Sequence, residues 1–298
     1  MELNDLALWW LTECPNLGWT GWRQVLDRCG GIVSASLFGK SAEYYENSLG
    51  LSARVARSLD SHGPLTPAVS ASVSGLPIRF ISDSSKDFPP KIRLMKEFPP
   101  IMNIYGNFEI LKRPTAVILC SRGPSRDDLE LVKTAVDVAL DSGYALAAGH
   151  NKPAYQLALL AAKRRAEHSV MVLDRGILAT FDDDLRRDPL PAARIWGFGF
   201  ESERSIVISP FRLHDAWIGA NSRIRDALAI ALADVIVAVQ IRPGGVMESL
   251  VREAAERGQK VLADEASMKA LGDCGAKPWA GRIDPETGIT GTKFTRMS

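Results

Sequence analysis

The sequence predicts an α/β chain: a doubly wound, mostly parallel sheet preceded by a small all-α module. Three observations predict it. From about residue 76 to 266, short apolar runs alternate with amphipathic stretches. Those runs are apolar at nearly every position, as strands covered on both faces require. Residues 4–62 instead repeat apolar positions at helical spacing, broken by glycine turns. The expected layout is a helical module over 1–63, a linker over 64–75, a Rossmann-like domain over 76–266 and an irregular tail over 267–298.

In the first module, "LNDLALWWLTE" sets Leu3, Leu6, Ala7, Trp10 and Leu11 at helical spacing. Asn16-Leu17-Gly18 reads as a turn. Thr20 is placed to cap the next helix, whose apolar stripe is Trp22, Val25 and Leu26; Gly30-Gly31 ends it. A further helix is expected over Ser41–Asn47. Another runs from a cap at Ser52 to a stop at Gly63. A helix, a glycine turn and a second helix have the look of a helix-hairpin-helix or SAM-like module. The amides of such a turn either bind a phosphate or only make the turn. "PLTPAVSASVSG" then lacks apolar periodicity and reads as the linker.

The β-like runs are "LPIRFIS", "TAVILC", "YALAA", "SVMVLD", "SIVIS", "DVIVAVQ" and "KVLA". Between them lie the helical stretches "DDLELVKTAVDVALDSG", "PAYQLALLAAKRRAEH", "NSRIRDALAIALA" and "VMESLVREAAERG".

The totals narrow the function. With 298 residues and 46% hydrophobic residues, the chain can build a sizeable core. A net charge of +1 argues against coating nucleic acid by bulk charge, but leaves room for a local basic groove. The four cysteines, Cys14, Cys29, Cys120 and Cys274, form no CxxC pair and no zinc-like cluster, so free thiols are expected. No apolar run reaches membrane-span length and the first residues are not signal-like, so a cytoplasmic protein without a membrane partner is expected.

In an open parallel sheet, ligands bind beyond the C-terminal ends of the strands. Five loops on that edge carry Arg or Lys. They are Ser121–Arg126, Gly149–Lys152, Arg175-Gly176, Pro210–Arg212 leading to Asn221–Arg223, and Arg242–Gly245. Helix N-termini add free amides and partial positive charge there. The candidate phosphate-binding residues are therefore Ser121, Arg122, Gly149, His150, Lys152, Arg212, Asn221, Arg223, Arg242, Gly244 and Gly245. Phe211 and Trp217 are the aromatic residues available for base stacking on this edge.

Neither GxGxxG nor GxxxxGK[ST] is present, which disfavours ordinary dinucleotide binding and P-loop hydrolysis. Only His150 of the four histidines falls on the edge, so a Ser-His-Asp arrangement lacks parts. The acidic run Asp182–Asp184 stands beside Arg186 and Arg187 and reads as a solvated loop rather than a metal site. No catalytic residue, metal or cofactor is expected.

The layout resembles the DprA/Smf family of DNA-processing proteins over about residues 6–265. Phe88-Pro89, Leu94, Pro99-Pro100, Tyr105, Gly106, Asn107 and Leu111 are similar to a segment that family places before its sheet. "VILCSRGPS" resembles its V-G-x-R loop, with Cys120 where glycine is usual. "LAAGHNKPAYQLALLAA", "ANSRIRDALAIALAD" and "RPGGVMESLVREAAERGQKVLA" fill the positions of its later motifs, with Asn221 in place of an arginine and Arg223 retained. The resemblance implies single-stranded DNA binding, loading of a recombinase, a homodimer and no catalytic chemistry. A second resemblance points elsewhere. Pro243-Gly244-Gly245 followed by Glu248 is similar to the glycine motif of LOG-type nucleotide phosphoribohydrolases, without its "GT" and with Glu248 displaced. That implies a nucleotide-binding sensor or, less well matched, an N-glycosidic hydrolase.

Overall fold

The computed structural model describes residues 3–279. Much of the expected tail, 280–298, lies outside the described residues. The helical module consists of α1 (Leu3–Glu13), α2 (Gly18–Arg28), α3 (Ala42–Leu49) and α4 (Ala53–His62). They enclose their own apolar cluster around Leu11, Trp22, Val25, Tyr45 and Leu59. Helix α1 is apolar on two sides, and both are buried. Ala7, Leu8 and Leu11 face the module. Leu6 and Trp9 join the larger core of the sheet, with the Trp9 and Phe80 rings 5.6 Å apart.

Two expected caps differ. Helix α2 starts at Gly18, so Thr20 lies inside it. Ser52 stands at the N-cap of α4, but its hydroxyl meets the Gln24 side chain at 3.4 Å instead of a helix amide. Ser41, in contrast, caps α3 by accepting from the Tyr44 N–H. The expected linker is also partly helical, as α5 (Pro67–Ser74). Its Ser/Ala composition carries no apolar stripe. The helix is set instead by Thr66 accepting from the Val69 N–H, by Pro67 at its start and by burial of Val73.

The remaining elements, in chain order, are β1 (Ile78–Ser82), α6 (Pro90–Arg93), β2 (Ile101–Gly106), β3 (Thr115–Cys120), α7 (Arg126–Asp141), β4 (Ala145–Gly149), α8 (Pro153–Arg164) and β5 (Ser169–Val172). Then follow α9 (Ile177–Phe181), α10 (Pro191–Ile195), β6 (Ser205–Ser209), α11 (Asn221–Leu232), β7 (Val235–Val239), α12 (Val246–Glu256), β8 (Lys260–Ala263), α13 (Glu265–Leu271) and β9 (Lys277–Pro278). Among the described residues the sheet has nine strands in the order β1-β2-β6-β5-β4-β3-β7-β8-β9. Strand β2 pairs antiparallel with both β1 and β6; every other pairing is parallel.

Strand β2 was not among the expected strands, because its apolar run sits in a proline-flanked segment. The sheet also runs past residue 266: α13 and β9 occupy the start of the expected irregular tail, with β9 paired to β8. Asp264 caps α13 by accepting from the Ser267 N–H.

Strand order reverses between β3 and β7. From β3 the chain moves outward through β4, β5 and β6, then returns to place β7 on the other side of β3. Loops leaving β3 and β7 diverge to opposite faces of the sheet, because crossovers are right-handed. A crevice opens between them.

Candidate anion-binding site at the switch point

Two loops form the floor of that crevice. Ser121 follows β3, and its hydroxyl accepts from the Arg242 N–H at 3.0 Å. The Arg242 guanidinium donates back to the Gly123 carbonyl at 3.3 Å. The β3–α7 and β7–α12 loops are thus tied together by both ends of Arg242. A cavity of about 580 Å³ lies above them. Its lining includes Ser121, Arg122, Lys152, Arg223, Arg242 and Gly245, six of the eleven expected residues, together with Trp217.

Four cationic side chains, three from loops and Arg223 from the first turn of α11, therefore meet at one place. They differ in what already holds them. Arg122 is exposed and has no ion pair among the described residues. Arg242 is exposed, and among the described residues its guanidinium bonds only the Gly123 carbonyl. Arg223 makes a solvent-exposed pair with Glu253 at 3.3 Å, a contact of little energetic weight. Lys152 is the most committed, 2.6 Å from the buried carboxylate of Asp226. Trp217 is 47% exposed, and its indole N–H reaches the Ser222 hydroxyl at 3.3 Å.

Five expected residues do not line this cavity. Arg212 pairs with Asp215 at 2.7 Å, beside the C-terminal end of α1, where Glu13 accepts from the Leu213 N–H. Asn221 is buried, and its side-chain amide donates to the Asp174 carbonyl at 3.0 Å. Gly244 belongs to the same turn as Gly245, but its N–H is taken by Glu248. Gly149 and His150 belong to a buried polar network beneath the crevice.

Arg225 is the centre of that network and is fully buried. Its guanidinium meets Asp174 at 2.5 Å and Asp226 at 2.8 Å, and it also bonds the Asn151 side chain. Asp226 further accepts from Tyr155 Oη at 3.0 Å and from Lys152. Asp174 further accepts from the Asn151 side-chain amide at 2.6 Å. Such a cation is tolerable in a core only when paired and fully bonded. His150 Nε2 lies 3.7 Å from Asp174, while its Nδ1 is buried without a hydrogen-bond partner among the described residues. Burial pushes the His150 imidazole down to about 4. The Asp174 carboxylate opposes that shift; Arg175 and Arg225 reinforce it. His150 is therefore neutral at pH 7. Burial, then Asp226, holds the Tyr155 phenol well above its ordinary value, so it stays a donor.

Arg225, Asp226, Asp174 and Tyr155 were absent from the expected residues. One signal was available. Asn221, Arg225, Leu228, Ala229 and Leu232 recur at helical spacing, so Arg225 stands on the face of α11 that must be buried.

The strand order and the cation-lined switch-point crevice define a Rossmann-like α/β protein with a candidate site for an anionic ligand. The family model for DNA recombination-mediator protein A matches residues 79–279. The chain belongs to that family. Among solved structures it is similar to DNA processing protein A (DprA) from Streptococcus pneumoniae. The TM-score is 0.69 at 15% identity, covering 94% of this chain and 95% of that one. It is also similar to DNA processing protein A from Helicobacter pylori, a structure described as showing a single-stranded DNA binding mode. There the TM-score is 0.53 at 16% identity, covering 69% of this chain and 92% of that one. No curated protein matches the sequence.

Proposed function

We propose that this chain binds single-stranded DNA across the switch-point crevice, without cleaving it. The observation that carries the reading is the meeting of Arg122, Lys152, Arg223 and Arg242 around one cavity beside a half-exposed Trp217. Cations of this kind neutralise backbone phosphates, and an indole face stacks any base. The combination suits a flexible strand with unpaired bases better than a duplex, whose bases are already stacked. Family membership and the binding mode named for the Helicobacter pylori relative support the same reading.

Loading of a recombinase and assembly as a homodimer complete the proposal; the family's name supports the first. Mixing the DNA complex with a recombinase and measuring filament growth tests loading. Light scattering coupled to gel filtration tests the dimer.

The direct test titrates single-stranded DNA, duplex DNA and a nucleotide panel in one buffer at several salt concentrations. Binding of the single strand that weakens steeply with salt is expected. Stabilisation by small nucleotides but not oligonucleotides would replace this reading with a nucleotide sensor. Hydrolysis has no comparable support. Both Glu248 oxygens are in use, one on the Gly244 N–H and the other on Arg252.

A further inference from the structure

The Gly244-Gly245 turn already holds an anion, and that anion belongs to the chain. Gly244 adopts φ +74°, a left-handed value that glycine takes at no steric cost. Its N–H donates to Glu248 Oε2 at 2.5 Å. Glu248 sits in the first turn of α12, and its Oε1 accepts from Arg252 Nε at 2.9 Å. Arg252 is anchored in turn by Asp273 at 2.8 Å. The carboxylate is held from two sides. Arg252 first, and the Gly244 amide second, keep its carboxyl below the ordinary range, so it is charged at neutral pH.

A carboxylate on a backbone N–H occupies the place a phosphate oxygen would take. This one stands next to Gly245, Val246 and Met247, which line the cationic cavity. A glycine turn adjoining the cavity wall is therefore filled from within.

We propose that Glu248 is a resident competitor, closing the Gly244 amide to ligand phosphates and selecting a polymer over a free nucleotide. The inference rests on the DNA reading above. A lone phosphate must displace a tethered carboxylate whose effective concentration is on the order of millimolar or higher. A strand already held by Arg122 and Arg242 presents its next phosphate locally and competes on better terms. Glu248 thus lowers affinity for every anion, but most for the smallest.

The test compares the full chain with Glu248→Ala, which empties the amide, and Glu248→Gln, which keeps an acceptor without charge. Glu256→Gln removes the same charge from an exposed position near the far end of α12 and reads the general electrostatic effect. The probes are a single-stranded oligothymidylate and thymidine monophosphate, each titrated across a salt series. Melting temperatures verify that all four proteins fold. Glu248→Ala is expected to bind the oligonucleotide about tenfold tighter at low salt, with Glu248→Gln between it and the parent. Its salt slope should steepen by about 0.7, one additional phosphate on a single strand. The monophosphate, weak or silent with the parent, should bind Glu248→Ala measurably. Glu256→Gln should stay within about twofold of the parent. If the parent binds DNA and Glu248→Ala binds it no tighter than Glu256→Gln, the competitor role is overturned and the DNA reading stands. If none of the four proteins binds the oligonucleotide, both are overturned.

Discussion

Arg225 lies across Gly149. A Cβ on Gly149 would stand 2.6 Å from Arg225 Cδ and 2.8 Å from Tyr155 Cδ2. Glycine is required there for space, since its backbone φ lies outside the left-handed region. Neither neighbour is free to retreat. Arg225 is clamped by Asp174 and Asp226, and the Tyr155 hydroxyl is bonded to Asp226. Gly149→Ala should therefore overpack the site and cost about 1–3 kcal/mol, read from the denaturation midpoint. An unchanged midpoint would mean that the network shifts as a unit.

The same contact shows what a sequence can and cannot display. Buried parallel strands announce themselves, because a strand covered on both faces leaves an unbroken apolar run such as "VIVAV" or "TAVILC". The edge on which ligands gather follows from topology alone, so Arg122, Lys152, Arg223 and Arg242 could be placed together without coordinates. Side-chain partners are another matter. Gly149 and His150 stand on the right edge, yet their side of the loop faces Arg225 and Asp174, which the chain supplies from 24 or more residues away. Arg212 is diverted by Asp215 three residues on and by the end of α1. Helix α5 was hidden because a cap and one buried valine, rather than a stripe, define it.

Asp226 joins the buried network to the cavity wall. It is buried, shares Arg225 and Tyr155, and holds Lys152 at the cavity wall. Asp226→Asn should lower stability by about 3 kcal/mol, because one partner of a buried ion pair is lost. It should at the same time release the Lys152 ammonium to a ligand phosphate, so affinity for single-stranded DNA rises while the melting temperature falls. A parallel loss of both would place Asp226 in the fold alone.

Two groups should oppose each other in the pH dependence of stability across the mildly acidic range. Burial pushes the Glu13 carboxyl up to about 7 from 4.5; the Leu213 N–H and Arg212 only partly oppose it. A raised folded value favours the protonated form, so this contribution is complete below about pH 4.5 and lost as pH rises through about 7. The cost is at most about 3 kcal/mol. His150 acts in the opposite sense. Its folded value of about 4 lies below 6.5, so stability falls as pH drops from about 6.5 through about 4. The two windows overlap between about pH 4.5 and 6.5, where the opposing slopes cancel, so melting curves of the parent should be nearly flat there. Glu13→Gln should uncover the His150 slope, with stability rising from about pH 4 to 6.5, and His150→Gln should uncover the Glu13 slope, with stability falling from about pH 4.5 to 7. A Glu13→Gln profile as flat as the parent's would assign the balance to other groups.

Trp217 and Arg122 should lose DNA in distinguishable ways. Arg122 is exposed and lacks an ion pair among the described residues, so its charge is available to a phosphate at no cost in broken contacts. Arg122→Ala should weaken single-stranded DNA binding and make the salt dependence shallower by about 0.7. Arg242→Ala should do the same with an added loss, since its guanidinium also ties the two floor loops through Gly123. Trp217 carries no charge, and its half-exposed ring offers its face to a base while its N–H is on Ser222. Trp217→Ala should cost about 1–3 kcal/mol per stacked base and leave the salt slope where it was. An abasic oligonucleotide separates the two contributions again. It should bind the parent as weakly as the normal strand binds Trp217→Ala, and lose nothing further in that variant. If Trp217→Ala instead changes the slope, the ring positions the neighbouring cations, through Ser222 and the start of α11, rather than meeting a base.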